Sequence, residues 1–240
     1  MAAMSAITIE IDEKRYPAQA GEAGRAVFRN FHLDIAEGAF VALLGESGIG
    51  KTTLLNIVAG LDRDFRGAIR FGTAAPRLAY AFQNPRLLPW RTVLQNVALP
   101  LPAGDVGRRA AEAMLQEVGL ADLAGAYPER LSLGQQRRVA LARAFAIAPD
   151  VLLMDEPFVS LDEAGAARLR DLLRRLLARR PATVLFVTHD RREAVELASR
   201  IVVLDGAPVR VVRDMPINLT PEERATPACL DAVRHSLDPA

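Results

Sequence analysis

A chain of 240 residues, 50% hydrophobic and 25% charged, is long enough to bury a core without disulfides or a structural metal and too apolar to be disordered. Thirty basic against twenty-nine acidic residues leave a formal net charge of +1, so bulk charge points neither to nucleic acid nor to an anionic membrane. Cys229 is the only cysteine, which excludes an intramolecular disulfide and fits a reducing compartment. The opening segment, Met1 to Lys14, lacks the basic start and long apolar centre of a signal peptide, because Glu10 and Asp12 interrupt its one apolar stretch. Runs such as Phe40 to Leu44 fall far short of the roughly 20 residues that cross a bilayer. A cytoplasmic location is expected, with any membrane reached by docking onto another protein.

In chain order, residues 5–37, together with 66–82, alternate strand-like and turn-like stretches and predict an antiparallel β layer. Between them, Phe40 to Leu44 is a continuous apolar run bounded by Gly38 and Gly45, followed by a helical stretch from Thr52 to Ala59 that stops at Gly60. Residues 86–148 read as a helical insertion containing a proline-rich loop, Leu99 to Gly104, and a helix from Gln135 to Ile147. Val151 to Met154, Thr183 to Val187 and Ile201 to Leu204 are further apolar runs of the kind buried on both faces of a parallel sheet. Leu161 to Arg180 carries Leu169, Leu172, Leu173, Leu176 and Leu177 on one helical face, and Asp190 with Glu193 makes a capping pair for a helix running to Ala198. After Gly206 only short helical fragments are expected. The reading is one α/β domain over 1–240: a core from 5–85 and 149–206 with a mostly parallel sheet and a β layer, a helical subdomain at 86–148, and a C-terminal surface extension at 207–240.

Gly45-Glu46-Ser47-Gly48-Ile49-Gly50-Lys51-Thr52-Thr53 fits the spacing G-x-x-x-x-G-K-[ST] and sits between a predicted strand and a predicted helix, which is the context a phosphate loop requires. Glycines let the backbone wrap with its N–H groups inward, and the helix N-terminus adds positive partial charge. Lys51 is placed to reach the β- and γ-phosphates and the Thr52 hydroxyl to ligate Mg²⁺. A chance match somewhere in a chain of this length is on the order of 1% before that context is counted. Further on, Asp155 and Glu156 end an apolar strand, where α/β folds bind ligands. Alone such a pair is more often a solvated strand end; beside the phosphate loop, Asp155 fits a Mg²⁺-linked role and Glu156 the orientation or deprotonation of an attacking water.

Adding Leu131-Ser132-Leu133-Gly134-Gln135, Ser160-Leu161-Asp162, Gln83 after Phe82, and His189 after Thr188, the ordered set over residues 5–205 resembles the ATP-binding cassette (ABC) ATPases, with a P-loop NTPase, RecA-like core. The resemblance implies that Gln83 senses the γ-phosphate and Mg²⁺ and links the site to the helical subdomain. It also implies that His189 contacts the γ-phosphate, that Asp162 lies at a dimer seam, and that Ser132, Gly134 and Gln135 face a nucleotide held by a second copy. Ser132 and Gln135 also read as a plain capping box, and the two readings are compatible. Glycine usually stands where this chain has Leu133, so a negative φ is expected there, since leucine in the left-handed region would cost about 1–2 kcal/mol. Tyr16 has two readings, an aromatic face for adenine or a packed β-layer tyrosine, and the stretch Tyr16 to Gly21 is expected to contain a local insertion.

Leu87, Leu88 and Trp90, stiffened by Pro85 and Pro89, form a hydrophobic knuckle that either packs within the subdomain or docks a membrane partner. The Leu-Leu-Pro-Trp run is similar to the ATPases of nitrate, sulfonate, taurine and bicarbonate importers. That resemblance implies ATP and Mg²⁺ as cofactors, a homodimer that sandwiches two nucleotides, membrane permease subunits with a solute-binding protein, a peripheral place on the inner face of the cell membrane, and no nucleic acid. Rival readings are a soluble ABC ATPase acting on DNA or ribosomes, another P-loop enzyme such as a small-molecule kinase, and an exporter cassette.

Overall fold

The computed structural model describes residues 5–17, 24–224 and 226–235. The chain divides into two compact units, Met1–Ala75 with Thr183–Ala240, and Pro76–Ala182.

The first unit begins with two long strands, β1 (Ser5–Tyr16) and β2 (Arg25–Ala36), followed by β3 (Phe40–Leu44), α1 (Lys51–Val58) and β4 (Arg66–Phe71). β1 is the centre of a three-stranded antiparallel sheet, flanked by β2 and β4. Ile7, Ile9 and Ile11 of β1 are buried on one face, as alternation predicts. A register shift between Ile11 and Glu13 against β4 then reverses the parity and turns Lys14 inward, to 2% exposure. β3, by contrast, is buried on both faces because its neighbours are parallel strands: β7 (Thr183–Thr188) on one side and β8 (Arg200–Asp205) on the other.

Two expectations are corrected. Residues beyond Gly206, expected to break into short helical fragments, first form β9 (Arg210–Pro216), an antiparallel partner of β8 with alternating half-exposed residues. Only then come the short helices α7 (Pro221–Arg224) and α8 (Pro227–His235). Arg224 ties this extension down by donating to the Val195 and Ala198 carbonyls, at 2.6 and 2.7 Å, at the end of α6 (Arg191–Leu197). Of the stretch Tyr16 to Gly21, expected to contain a local insertion, residues 18–21 lie outside the described residues.

The second unit holds β5 (Leu78–Ala81), α2 (Val93–Ala98), α3 (Asp105–Glu117), α4 (Leu133–Phe145), β6 (Val151–Asp155) and α5 (Glu163–Arg179). β5 was expected in the antiparallel layer; it pairs in parallel with β6 instead. The run Leu78-Ala79-Tyr80-Ala81 is too short for its direction to be read from pattern alone. The helices bury Val97, Leu115, Val139, Phe145 and Leu173 in this unit's core, and Arg180 joins Glu117 through two hydrogen bonds of 2.8 and 2.6 Å.

Candidate functional site

In the first unit, β3 ends at Leu44 and α1 starts at Lys51, so Gly45 to Gly50 form the connecting loop. The spacing of its glycines follows from close approach. A Cβ on Gly45 would stand 2.8 Å from the Leu204 carbonyl oxygen, and one on Gly50, whose φ is +129°, would stand 2.7 Å from Val27 Cγ1. Ile49 anchors the loop from beneath, while Glu46, Ser47, Gly48 and Thr52 are exposed. Lys51 is buried and donates to the carbonyls of Gly45 and Glu46 at 2.7 and 2.8 Å. Its ammonium thus closes the loop from the helix side. Thr53 contacts the Tyr16 hydroxyl at 3.2 Å. The Tyr16 ring is 45% exposed, and Lys14 Nζ lies 4.8 Å from its centroid. Burial pulls the Lys14 ammonium down, but its hydrogen bond and charge pairing with Asp62, helped by Asp64, hold it above the ordinary lysine value.

His189 stands exposed on the turn after β7. Three neighbours fix that turn: the Thr188 hydroxyl donates to the Glu193 carboxylate at 2.6 Å, the Asp190 N–H donates to the Thr188 hydroxyl at 2.9 Å, and the Asp190 carboxylate caps α6 by accepting from the Arg192 and Glu193 amides. Asp190 is the expected cap, and Glu193 serves the turn through Thr188. Gly45, Ser47, His189, Arg191, Asp205 and Arg213 line one cavity of about 780 Å³, so this unit brings the loop and His189 to a common space.

In the second unit, β6 is buried along its length and delivers Asp155, 4% exposed, and then the half-buried Glu156. Burial, with the Asp155 charge second, pushes the neighbouring Tyr80 hydroxyl well above the usual phenol range. Tyr80 stacks on Phe82, with centroids 4.0 Å apart, and Gln83 follows on an exposed turn. Glu156 (φ 43°) and Ser160 (φ 63°) are both left-handed, which is uncommon for residues other than glycine.

Asp162 caps α5 by accepting from the Gly165 amide at 2.9 Å. Ser132 caps α4 in a complete box: its hydroxyl accepts from the Gln135 amide at 3.3 Å and the Gln135 side chain accepts from the Ser132 amide at 2.8 Å. Leu133 opens the helix outside the left-handed region, as expected, with 38% exposure. Gly134 faces open space, where an added Cβ would meet only Leu161 Cδ2 at 3.9 Å.

Sequence reasoning missed three arginines of α4. Arg137, buried, donates to the carbonyls of Glu156, Pro157 and Val159. Arg138 donates to the Val118 carbonyl at 3.1 Å, and Arg143 to those of Pro85 and Arg86 at 2.7 and 3.0 Å. Burial lowers both Arg138 and Arg143 from the ordinary guanidinium value. The available signal was positional: Arg137 falls on the same helical stripe as Leu141, Ala144 and Phe145, and a cation there must find acceptors.

The knuckle divides: Leu87 and Leu88 are half-buried, whereas Trp90 is 69% exposed. The buried Asn96 side chain shapes it, accepting from the Leu88 amide and donating to the carbonyls of Leu88, Arg91 and Thr92. Among the described residues, no group of three or more His, Cys, Asp or Glu side chains gathers to hold a metal. The anticipated Mg²⁺ donors, the Thr52 hydroxyl, the Gln83 amide and the Asp155 carboxylate, are hard oxygens of the sort that this ion takes beside phosphate oxygens.

Residues 28–159 match the ABC transporter family. The chain is 48% identical to the aliphatic sulfonates import ATP-binding protein SsuB 1 of Streptomyces avermitilis, over 82% of this chain and 76% of that one. It is 50% identical to the protein of the same name, SsuB, from Delftia acidovorans, over 84% and 82%. Among solved structures, a dimeric bacterial ABC transporter cassette superposes with a TM-score of 0.78 at 32% identity, covering 89% of this chain and all of that one. An ATP-binding cassette in a dimeric post-hydrolysis state with ADP and phosphate gives 0.76 at 31% identity, with the same coverage.

Proposed function

Because this chain belongs to the ABC transporter family and is an ATP-binding, ATP-hydrolysing cassette of it, we propose that it powers import of an aliphatic sulfonate through separate membrane subunits. The phosphate loop carries the ATP half of this reading: Gly45 and Gly50, where no side chain fits, a helix N-terminus, and Lys51 drawn over the Gly45 and Glu46 carbonyls. Near-50% identity to proteins named for sulfonate import supports the choice of solute.

In this mechanism two copies enclose two ATP molecules. Residues Gly45 to Thr53 and His189 of one copy hold the phosphates, with Tyr16 beside the base; Asp155, Glu156 and Gln83 serve the same nucleotide. Ser132, Gly134, Gln135 and Asp162 of the other copy complete the seam. Thr52, Gln83 and Asp155 would hold Mg²⁺, which supplies charge neutralisation on the phosphate oxygens. Glu156 orients a water and accepts its proton as the water oxygen attacks the γ-phosphorus. The bond to the β,γ-bridging oxygen breaks, and ADP and phosphate leave. Losing the γ-phosphate removes what joins the two copies, so the sandwich reopens. Trp90, presented by the Asn96 turn, is the anchor for the membrane subunit at the cytoplasmic face, and a solute-binding protein supplies the sulfonate on the far side.

The test uses the chain assembled with its membrane subunits. Glu156→Gln is expected to bind ATP, to lose at least about 100-fold in turnover and to accumulate an ATP-bound dimer. Lys51→Ala is expected to weaken nucleotide binding itself. Normal hydrolysis by Glu156→Gln would remove the base assignment, and ATPase activity stimulated by nitrate but not by an aliphatic sulfonate would remove the solute.

A further inference from the structure

Arg137 projects from the second turn of α4 into the loop that follows Glu156, where one guanidinium engages three main-chain carbonyls: Glu156 at 3.2 Å, Val159 at 2.5 Å, and Pro157 between them. The loop so gripped is bounded at both ends by left-handed residues, Glu156 and Ser160, a conformation that persists where the surroundings over-determine it. A planar fork with five N–H donors suits several carbonyls at once, and burial excludes the water that would otherwise compete for them. The same helix begins at the Ser132 cap. A cavity of about 10 Å³ is lined by Phe82, Pro85, Arg137 and Pro157, so the residues on either side of Gln83 border the same space as Arg137.

We propose that Arg137 is a positioning residue for Glu156. By holding the carbonyls of Glu156, Pro157 and Val159, it fixes the turn that aims the carboxylate and ties that turn to the helix capped by Ser132. The proposal rests on Glu156 acting as the base. It assigns Arg137 no contact with nucleotide, so its loss acts on the chemical step and leaves ATP binding intact.

The experiment measures ATP hydrolysis and nucleotide affinity for the chain assembled with its membrane subunits, comparing Arg137→Ala and Arg137→Lys in the parent and in the Glu156→Gln background, with thermal unfolding alongside. Both single variants are expected to lower kcat about 10- to 100-fold, the scale of misplacing a reacting group by an ångström, with Arg137→Lys the milder because one ammonium cannot span three carbonyls. KM and nucleotide affinity should stay within about twofold, and in the Glu156→Gln background neither substitution should lower single-turnover hydrolysis further. If Arg137→Ala does not fold, Arg137→Lys, which keeps the stem and the charge, decides alone. A folded Arg137→Lys with unimpaired kcat, while Glu156→Gln is strongly impaired, overturns the proposal and leaves the base assignment standing. Equal fractional losses in both backgrounds also overturn it, because Arg137 would then act independently of Glu156. Normal turnover by Glu156→Gln alone overturns the base assignment and the proposal with it.

Discussion

Around the phosphate loop of the first unit, shape is set by what the main chain leaves out: Gly45 and Gly50 lie so near Leu204 and Val27 that no side chain fits. The second unit works by addition. There Arg137, Arg138 and Arg143 reach from one helix to the carbonyls of three separate loops, and Asn96 does the same for the turn beneath Trp90. A site built by omission tolerates no substitution at its glycines. Where side-chain clamps do the shaping, a glycine such as Gly134 has room to spare, and the fragile positions are polar and buried.

A glycine from each unit gives the sharpest break. Gly50→Ala combines a left-handed φ with a 2.7 Å clash, so it should destabilise the fold by about 1–3 kcal/mol and abolish tight ATP binding, read by denaturant melts and nucleotide titration. Gly134→Ala, in the first turn of α4 with open space around it, should raise stability by up to about 1 kcal/mol. Its effect on turnover reports how closely a second copy approaches that turn. Equal destabilisation by the two would erase the contrast.

Asn96→Leu comes next. It strips the Leu88, Arg91 and Thr92 groups of their shared partner, at an expected loss of about 1–3 kcal/mol. Trp90 is the chain's single tryptophan, so its emission should shift in the same variant; an unchanged spectrum would mean that the turn does not depend on the amide.

The smallest effect belongs to the ion pair. The hydrogen bonds from Arg180 hold the Glu117 carboxyl below its ordinary value against the opposing effect of burial. A depressed carboxyl stabilises the fold above its unfolded-state value and loses that contribution as pH falls through the folded one. Glu117→Gln should therefore cost about 1 kcal/mol at neutral pH and nothing once the parent's carboxyl is protonated. Melts at neutral and strongly acidic pH check this.

The same division governs how much was legible in the sequence. Lys51 and its glycines are recognisable because phosphate chemistry fixes both residue types and spacing. β3, β6, β7 and β8 are recognisable because strands buried on both faces admit only apolar runs. The Ser132–Gln135 box and the helical φ of Leu133 follow from local hydrogen bonding, which a short window contains. Other features depend on distant partners. The direction of β5 is chosen by β6, some seventy residues later. The inward turn of Lys14 depends on a bulge opposite β4, which no alternation rule reveals. Arg137 looks like one more member of an arginine-rich helix until the loop after Glu156 is folded against it.

Lys14 and Lys51 are the only lysines in the chain, and both are sequestered, at 2% and 4% exposure. Positive charge on the outside is carried by guanidinium groups, which neither acylate nor deprotonate under ordinary conditions. An amine-directed reagent, or an acetylating enzyme, therefore meets no lysine on the surface of the folded chain, and whatever reacts at Lys51 must first enter the phosphate loop.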